Sequence, residues 1–235
     1  MDIENYLEST YLKTTEESNL SNNQIKSIIN SLVNEAVANN FKLIMVRENH
    51  LSYLQSLLMN IKSNLLIGTV VDFPLGDKST VDKIKELNSV LNYTVSDIDI
   101  VCDYNAFKRK DFEKFDTDFI ELSSLCVKKN KTVKWIIETG ALSKKEIFDI
   151  SERISEIINK NFTENIDKFF IKTSTGYYSG YGANFNDIKI IKRASKNIRI
   201  KASGGIKSFN DAINMIELGV DRIGTSSALD IFNKK

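Results

Sequence analysis

Short apolar runs alternate with amphipathic segments along the whole chain. The apolar runs read as strands: Tyr6–Lys13, Phe41–Val46, Leu65–Val71, Asp97–Asp103, Val133–Glu138, Phe169–Ser174, Ile198–Ser203 and Asp221–Ser227. Between them, apolar residues recur at helical spacing, as in Ile25, Ile28, Ile29, Leu32, Val33 and Ala36, or Ile147, Ile150, Ile154, Ile157 and Ile158. Other helices are expected at Glu48–Lys62, around Val81–Leu91, over the long stretch up to Lys129, at Asp187–Lys196 and at Phe209–Leu218. Strands that alternate with helices pair in parallel. Eight such units without a Pro- or Gly-rich linker predict one α/β domain over residues 1–235, a closed (β/α)₈ TIM barrel with an extra N-terminal helical segment. A doubly wound open sheet is the alternative, but no G-x-G-x-x-G follows the early strands to support it.

Composition narrows the function classes. The chain has 32 basic and 31 acidic residues, so no field draws it to nucleic acid or to an anionic membrane. The cluster Lys128, Lys129, Lys131 and Lys134 reads as a solvated turn before a strand. Two cysteines are too few for a disulfide framework, and Cys102 sits in an apolar run as a core residue. No secretory h-region and no apolar span of about 20 residues is present, so a soluble cytoplasmic protein is expected. His50 is the only histidine and reads as structural or surface, which leaves no His-based triad. The carboxylates are too scattered to argue a metal centre.

Two strands end in lysine followed by small or hydroxylated residues: FFIKTSTG at Lys172 and IRIKASGG at Lys201. Burying an ammonium is costly unless its pKa falls or it is paired. Functional residues of a barrel lie at the C-terminal ends of strands, so adjacent strands would bring these amines together. A nucleophilic amine must be neutral, although free lysine titrates near ~10.4. One lysine is therefore read as a nucleophile and the other as the cation that lowers its pKa. On the fourth strand, Asp97, Asp99, Val101 and Asp103 face one way and Ile98, Ile100 and Cys102 the other. The apolar set must pack on helices, so Asp99 points inward, placed to move protons near the lysines.

The loops after the last two strands hold Gly204-Gly205 and Gly224-Thr225-Ser226-Ser227, before a short helical stretch Ala228–Asn233. Loops after strands seven and eight are the usual phosphate site of a barrel. A phosphorylated small molecule is the expected partner.

These residues resemble the deoxyribose-phosphate aldolase family. KTSTG (Lys172–Gly176) is similar to its Schiff-base lysine segment, and KASGGIKSFNDAINMIELGVDRIGTSS (Lys201–Ser227) to its closing signature. IIETGALSKKEI resembles its IIETxxL segment, FPLGDKST its GFPLG loop and DIDIV its ExDxV strand. The resemblance implies a class I aldolase, with a (β/α)₈ barrel, that cleaves 2-deoxy-D-ribose 5-phosphate to D-glyceraldehyde 3-phosphate and acetaldehyde. It implies Lys172 as the imine-forming residue, and Asp99 and Lys201 as proton carriers aided by a bound water. Thr10, Gly176, Gly204, Gly205, Ser226 and Ser227 would bind the substrate and its phosphate. No metal or organic cofactor is implied, and the expected assembly is a homodimer.

Three departures accompany the resemblance. The family's D-H-T-L-L-K strand is Glu8-Ser9-Thr10-Tyr11-Leu12-Lys13 here, placing the longer Glu8 in the proton network. Its C-V-N-P-like run is Met45-Val46-Arg47-Glu48, and Asp72 replaces the glycine before F-P-L-G. Two other readings are a related class I aldolase with another phosphorylated acceptor, and a catalytically weak barrel that binds a sugar phosphate. The intact Lys172, Lys201 and Asp99 argue against the last, because a binding protein needs no activated amine.

Overall fold

A computed structural model describes residues 2–234; Met1 and Lys235, the two ends of the expected domain, lie outside the described residues. Eight parallel strands close into a barrel in sequence order, which excludes the open doubly wound sheet. They are β1 (Leu7–Tyr11), β2 (Leu43–Val46), β3 (Leu66–Val71), β4 (Asp97–Val101), β5 (Thr132–Ile136), β6 (Phe169–Lys172), β7 (Arg199–Ser203) and β8 (Arg222–Thr225). The helices are α1 (Thr15–Ser18), α2 (Asn22–Ala38), α3 (Leu51–Asn60), α4 (Thr80–Val90), α5 (Tyr104–Lys108), α6 (Phe112–Lys128), α7 (Lys144–Asn161), α8 (Phe185–Ser195), α9 (Phe209–Glu217) and α10 (Ala228–Asn233). The additional N-terminal helical piece is a single 3-10 turn, Ile3–Asn5.

Local chemistry sets the boundaries. Ser21 with Gln24 and Ser143 with Glu146 form reciprocal capping boxes that start α2 and α7. The long helical stretch expected before Lys129 is two helices, because Asp103 and Asp111 each cap a new N-terminus. For the same reason β4 stops at Val101, and Asp103 does not face the barrel interior: its carboxylate caps α5 and meets Lys114 at 3.1 Å. His50 is buried in a 3-10 turn. No helix among the described residues is long and apolar enough to cross a membrane.

The outward residues of the strands form the main core with the helices. Trp135 of β5 stacks on Phe119 of α6 at 4.6 Å, and its indole N–H donates to Ser123 at 3.0 Å. Cys102 is buried and donates to the Ile136 carbonyl. The inward file departs from the branched apolar layers usual in such barrels: Glu8, Asp97, Asp99, Lys134, Lys172 and Lys201 are all buried within it. Register explains the grouping, since Lys172 lies directly opposite Lys201, and Asp99 opposite Lys134.

A second buried charge cluster lies outside the barrel. Lys83 of α4 is fully buried, 3.0 Å from Asp118 of α6 and 3.4 Å from Asp72, and donates to the Gly76 carbonyl at 3.0 Å. It ties both ends of the loop after β3 to α6. Removing the cation leaves the buried Asp72 carboxylate without an ion-pair partner among the described residues and leaves Asp118 with Lys114 alone. Lys83→Ala should therefore lower stability by about 3–5 kcal/mol, read from urea unfolding. A loss below about 1 kcal/mol would show the pair to be as weak as a solvated one.

Candidate active site

Three lysines and three carboxylates share the interior of the barrel, but not equally. Lys134 takes Asp97 at 2.5 Å, with Glu8 at 3.4 Å and Asp99 Oδ1 at 3.5 Å. Lys201 donates to Glu8 Oε2 and, at 2.7 Å, to Asp99 Oδ2. Lys172 reaches only that same Asp99 oxygen, at 2.8 Å. Lys172 is thus the lysine with the least negative charge to itself. Gly224 makes this packing possible, because a Cβ there would stand 2.9 Å from the Lys201 side chain.

The electrostatics follow from that division. Burial pushes the Lys172 ammonium down, Asp99 partly opposes it, and Lys201 pushes it down further, for a net pKa of about 8. The neighbouring cation is thus the secondary cause, and desolvation the first. Burial favours the neutral Asp99 carboxyl, yet Lys172, Lys201 and Lys134 outweigh burial and hold it well below the usual carboxylate range. Lys134 goes the other way: Glu8, Asp97 and Asp99 overcome its desolvation and hold it firmly charged. Asp99 Oδ1 accepts no hydrogen bond among the described residues and has only the Lys134 ammonium near it, at 3.5 Å.

A cleft of about 320 Å³ opens between the ends of β1, β6, β7 and β8; Lys172, Lys201 and Asp99 are not among its lining residues, which begin three residues past Lys172 at Thr175. Thr10, Gly176, Gly204, Gly205 and Ser226 all line it. Ser227 does not: it sits at the start of α10 with its N–H bonded to the Thr225 hydroxyl at 3.0 Å. Gly204, at φ 90°, occupies left-handed backbone where a Cβ would approach Gly182 Cα and Ser174 Oγ to 3.0 Å. Hydroxyls splice the wall together. Ser174 donates to the Ser203 carbonyl at 2.7 Å, and Thr225 to that of Ile206 at 2.7 Å. Two exposed cations also line the cleft: Lys13, at the end of the first strand as its sequence position suggests, and Lys207, which no sequence signal singled out.

Lys134 requires a correction. Grouped by sequence with Lys128, Lys129 and Lys131 as a solvated turn, it is fully buried in the barrel. Strand parity carried the missing signal, since Lys134 alternates with the outward pair Val133 and Trp135. Glu138, just past β5 at φ 54°, is likewise built into the site wall. It accepts from the Thr175 N–H at 3.1 Å and from the Thr175 hydroxyl, and burial raises its carboxyl pKa. Among the described residues no group of three or more His, Cys, Asp and Glu is arranged to hold a metal ion.

Replacing Lys134 with methionine keeps the volume and removes the charge, leaving more carboxylates than lysines. In the wild type the lowered Asp97 and Asp99 pKa values contribute stability that is present above about pH 4 and lost as pH falls through the folded-state values. In the variant a crowded carboxyl titrates above its unfolded value, so acid relieves the strain. The stability gap between wild type and Lys134→Met, measured by urea unfolding, should be larger at pH 7 than at pH 4. Equal gaps would show that Lys134 does not neutralise the cluster.

Comparison with known proteins places this geometry. No protein-family model matches the chain. It is 36% identical over 204 residues to a deoxyribose-phosphate aldolase of Metamycoplasma arthritidis, covering 86% of this chain and 88% of that one. It is 34% identical over 236 residues to the Mycoplasmopsis pulmonis enzyme of the same name, covering 100% and 97%. Among solved structures, a putative deoxyribose-phosphate aldolase from Coccidioides immitis superposes with a TM-score of 0.84 at 25% identity, covering 99% of this chain and 85% of that one. With identity of this level along nearly its full length, the chain belongs to the deoxyribose-phosphate aldolase family.

Proposed function

We propose that this protein is a class I aldolase that reversibly cleaves 2-deoxy-D-ribose 5-phosphate to D-glyceraldehyde 3-phosphate and acetaldehyde. The observation that carries the reading is the Asp99 oxygen shared by two buried lysines, which leaves Lys172 with a pKa of about 8. Near neutral pH a useful fraction of Lys172 is then a free amine. It attacks the C1 carbonyl of the open-chain sugar, and loss of water gives a protonated imine. The imine draws electrons as the C2–C3 bond breaks, while the C3 hydroxyl gives up its proton. The resulting enamine is protonated at C2, and hydrolysis releases acetaldehyde and the Lys172 amine.

Asp99 and Lys201 are the proton carriers in this reading, with the help of a bound water. Asp99 Oδ1 is the open acceptor, and Lys201 is the donor that Glu8 and Asp99 hold in place. Thr10, Gly176, Gly204, Gly205 and Ser226 at the cleft support binding of the substrate and its phosphate, and Ser227 would act from the edge of that cleft. No metal or organic cofactor enters the mechanism. A single cytoplasmic catalytic domain that assembles as a homodimer completes the proposal; sedimentation equilibrium at two protein concentrations tests the assembly.

The direct test is a coupled assay of deoxyribose 5-phosphate cleavage, paired with reduction of the acetaldehyde adduct by borohydride. Peptide mapping should place the reduced adduct on Lys172, and Lys172→Ala should lower kcat by at least about a thousandfold. An adduct on another lysine would sink the assignment. Because the charged form of Lys172 is disfavoured, its trapping rate should rise with pH and level off above about 8. Lys201→Leu removes a cation that holds that pKa down, so its curve should move to higher pH. An unmoved curve would reject the role given to Lys201.

A further inference from the structure

The Lys172 amine does not face open solvent. It is only 2% exposed, and its Nζ lies 5.9 Å from the ring centroid of Phe73, in the loop after β3. Phe73 meets Tyr177 edge to face, with centroids 5.1 Å apart and planes at 85°. Phe73 lies over the amine and Tyr177 braces Phe73 from the side, a two-ring roof on this flank of Nζ.

The roof is closed by a ring of polar contacts. The Tyr177 hydroxyl donates to Glu17 Oε2 at 3.3 Å, and Glu17 pairs with Arg47 at 3.7 Å. Arg47 Nη1 donates to the Phe73 carbonyl at 3.1 Å, and its guanidinium stands 5.1 Å from the Phe73 ring. Its Nε donates to the Leu12 carbonyl at 2.6 Å. One guanidinium thus holds the loops after β1 and β3 and, through Glu17, the loop after β6. A flexible ammonium cannot present three fixed donor directions in this way.

Leu12 and Tyr177 also line the cleft at the ends of β1, β6, β7 and β8. The latch and the phosphate cleft therefore share walls. We propose that Arg47 and Glu17 are positioning residues that latch the Phe73–Tyr177 roof, so that a phosphate engaging the cleft releases it and the enzyme favours phosphorylated over unphosphorylated aldehydes. This rests on the aldolase reading of Lys172. The long Tyr177–Glu17 bond, at 3.3 Å, is the link that involves a residue lining the cleft. A phosphate is a stronger acceptor than a carboxylate, and its negative charge beside Glu17 opposes the closed arrangement. The ion pair is partly exposed, which suits a contact that opens at every turnover.

The experiment compares kcat/KM for deoxyribose 5-phosphate with that for deoxyribose. The ratio cancels changes in Lys172 basicity, because both substrates react with the same amine. Damage to the fold lowers both rates and leaves the ratio alone. In Arg47→Ala the ratio should fall about tenfold, driven by a gain on deoxyribose. Arg47→Lys, which keeps the charge but not the fork, should fall between Arg47→Ala and wild type. Tyr177→Phe, which keeps both rings and cuts only the link to Glu17, should shift the ratio in the same direction. A fall below about threefold in Arg47→Ala, or one arising only from slower cleavage of the phosphorylated sugar, overturns the latch. If the wild type forms no imine on Lys172, the aldolase reading fails instead, and the two failures are told apart.

Discussion

Asp99 Oδ2 serves two ammonium groups at once, and the rest of the site depends on that shortage. Burying three lysines in one barrel costs several kcal/mol per ion unless each finds a counter-charge. Lys134 finds its own in Asp97, and Lys201 is served by Glu8 as well as by Asp99. Lys172 has only half a share of one carboxylate, so desolvation wins there. The geometry thus explains why Lys172, the last residue of β6, loses its proton near neutral pH. A site with one more carboxylate near Lys172 would hold it charged and inert as a nucleophile.

The barrel supplies this arrangement through register and through small residues. Parallel pairing of β6 with β7 sets Lys172 against Lys201 with no loop to adjust, so their separation is as rigid as the sheet. Gly224 leaves room for the Lys201 stem, and Gly204 allows close approach of the β6 and β7 loops. The hydroxyl bonds of Thr173 and Ser174 to the Ser203 carbonyl fix the cleft wall directly after the strand that carries Lys172. Amine and cleft are therefore positioned by the same few residues, which suits a substrate carrying an aldehyde at one end and a phosphate at the other.

Strand order, barrel closure and the lysine pair were legible in the sequence because they depend on period and chain order alone. Asp99 was legible for a similar reason, since strand parity separates it from Ile98 and Ile100. Lys134 was hidden because its neighbours in sequence, Lys128, Lys129 and Lys131, lie at the end of α6 and in the turn before β5. Composition groups all four, and only the exact start of β5 separates them. Asp103 was misplaced by the converse error, because two more residues of strand would keep it inward whereas it caps α5. The roof over Lys172 draws on loops after β1, β2, β3 and β6, and no local pattern joins residues so far apart in sequence.

The three departures from the family's usual pattern each meet a matching neighbour. Glu8 is one methylene longer than aspartate, and its two oxygens divide between Lys201 and Lys134, with Arg222 at 3.7 Å. Met45 extends its thioether into space that a Cβ on Gly68 would occupy, with Sδ 2.1 Å from that position. Asp72 holds the left-handed backbone a glycine would adopt, at φ 53°, a conformation that aspartate tolerates better than most residues. Its carboxylate accepts from the Lys78 N–H and pairs with Lys83, closing the loop from inside. That loop carries Phe73, and Arg47 grips it from the other side. The departures therefore fall into two groups: Glu8 and Met45 refill the barrel interior, whereas Asp72 and Arg47 stiffen the roof. Chemistry at the amine depends on the first group only through charge balance. The latch proposed for the Phe73–Tyr177 roof draws on the second, through the loop that Asp72 and Arg47 hold from its two sides.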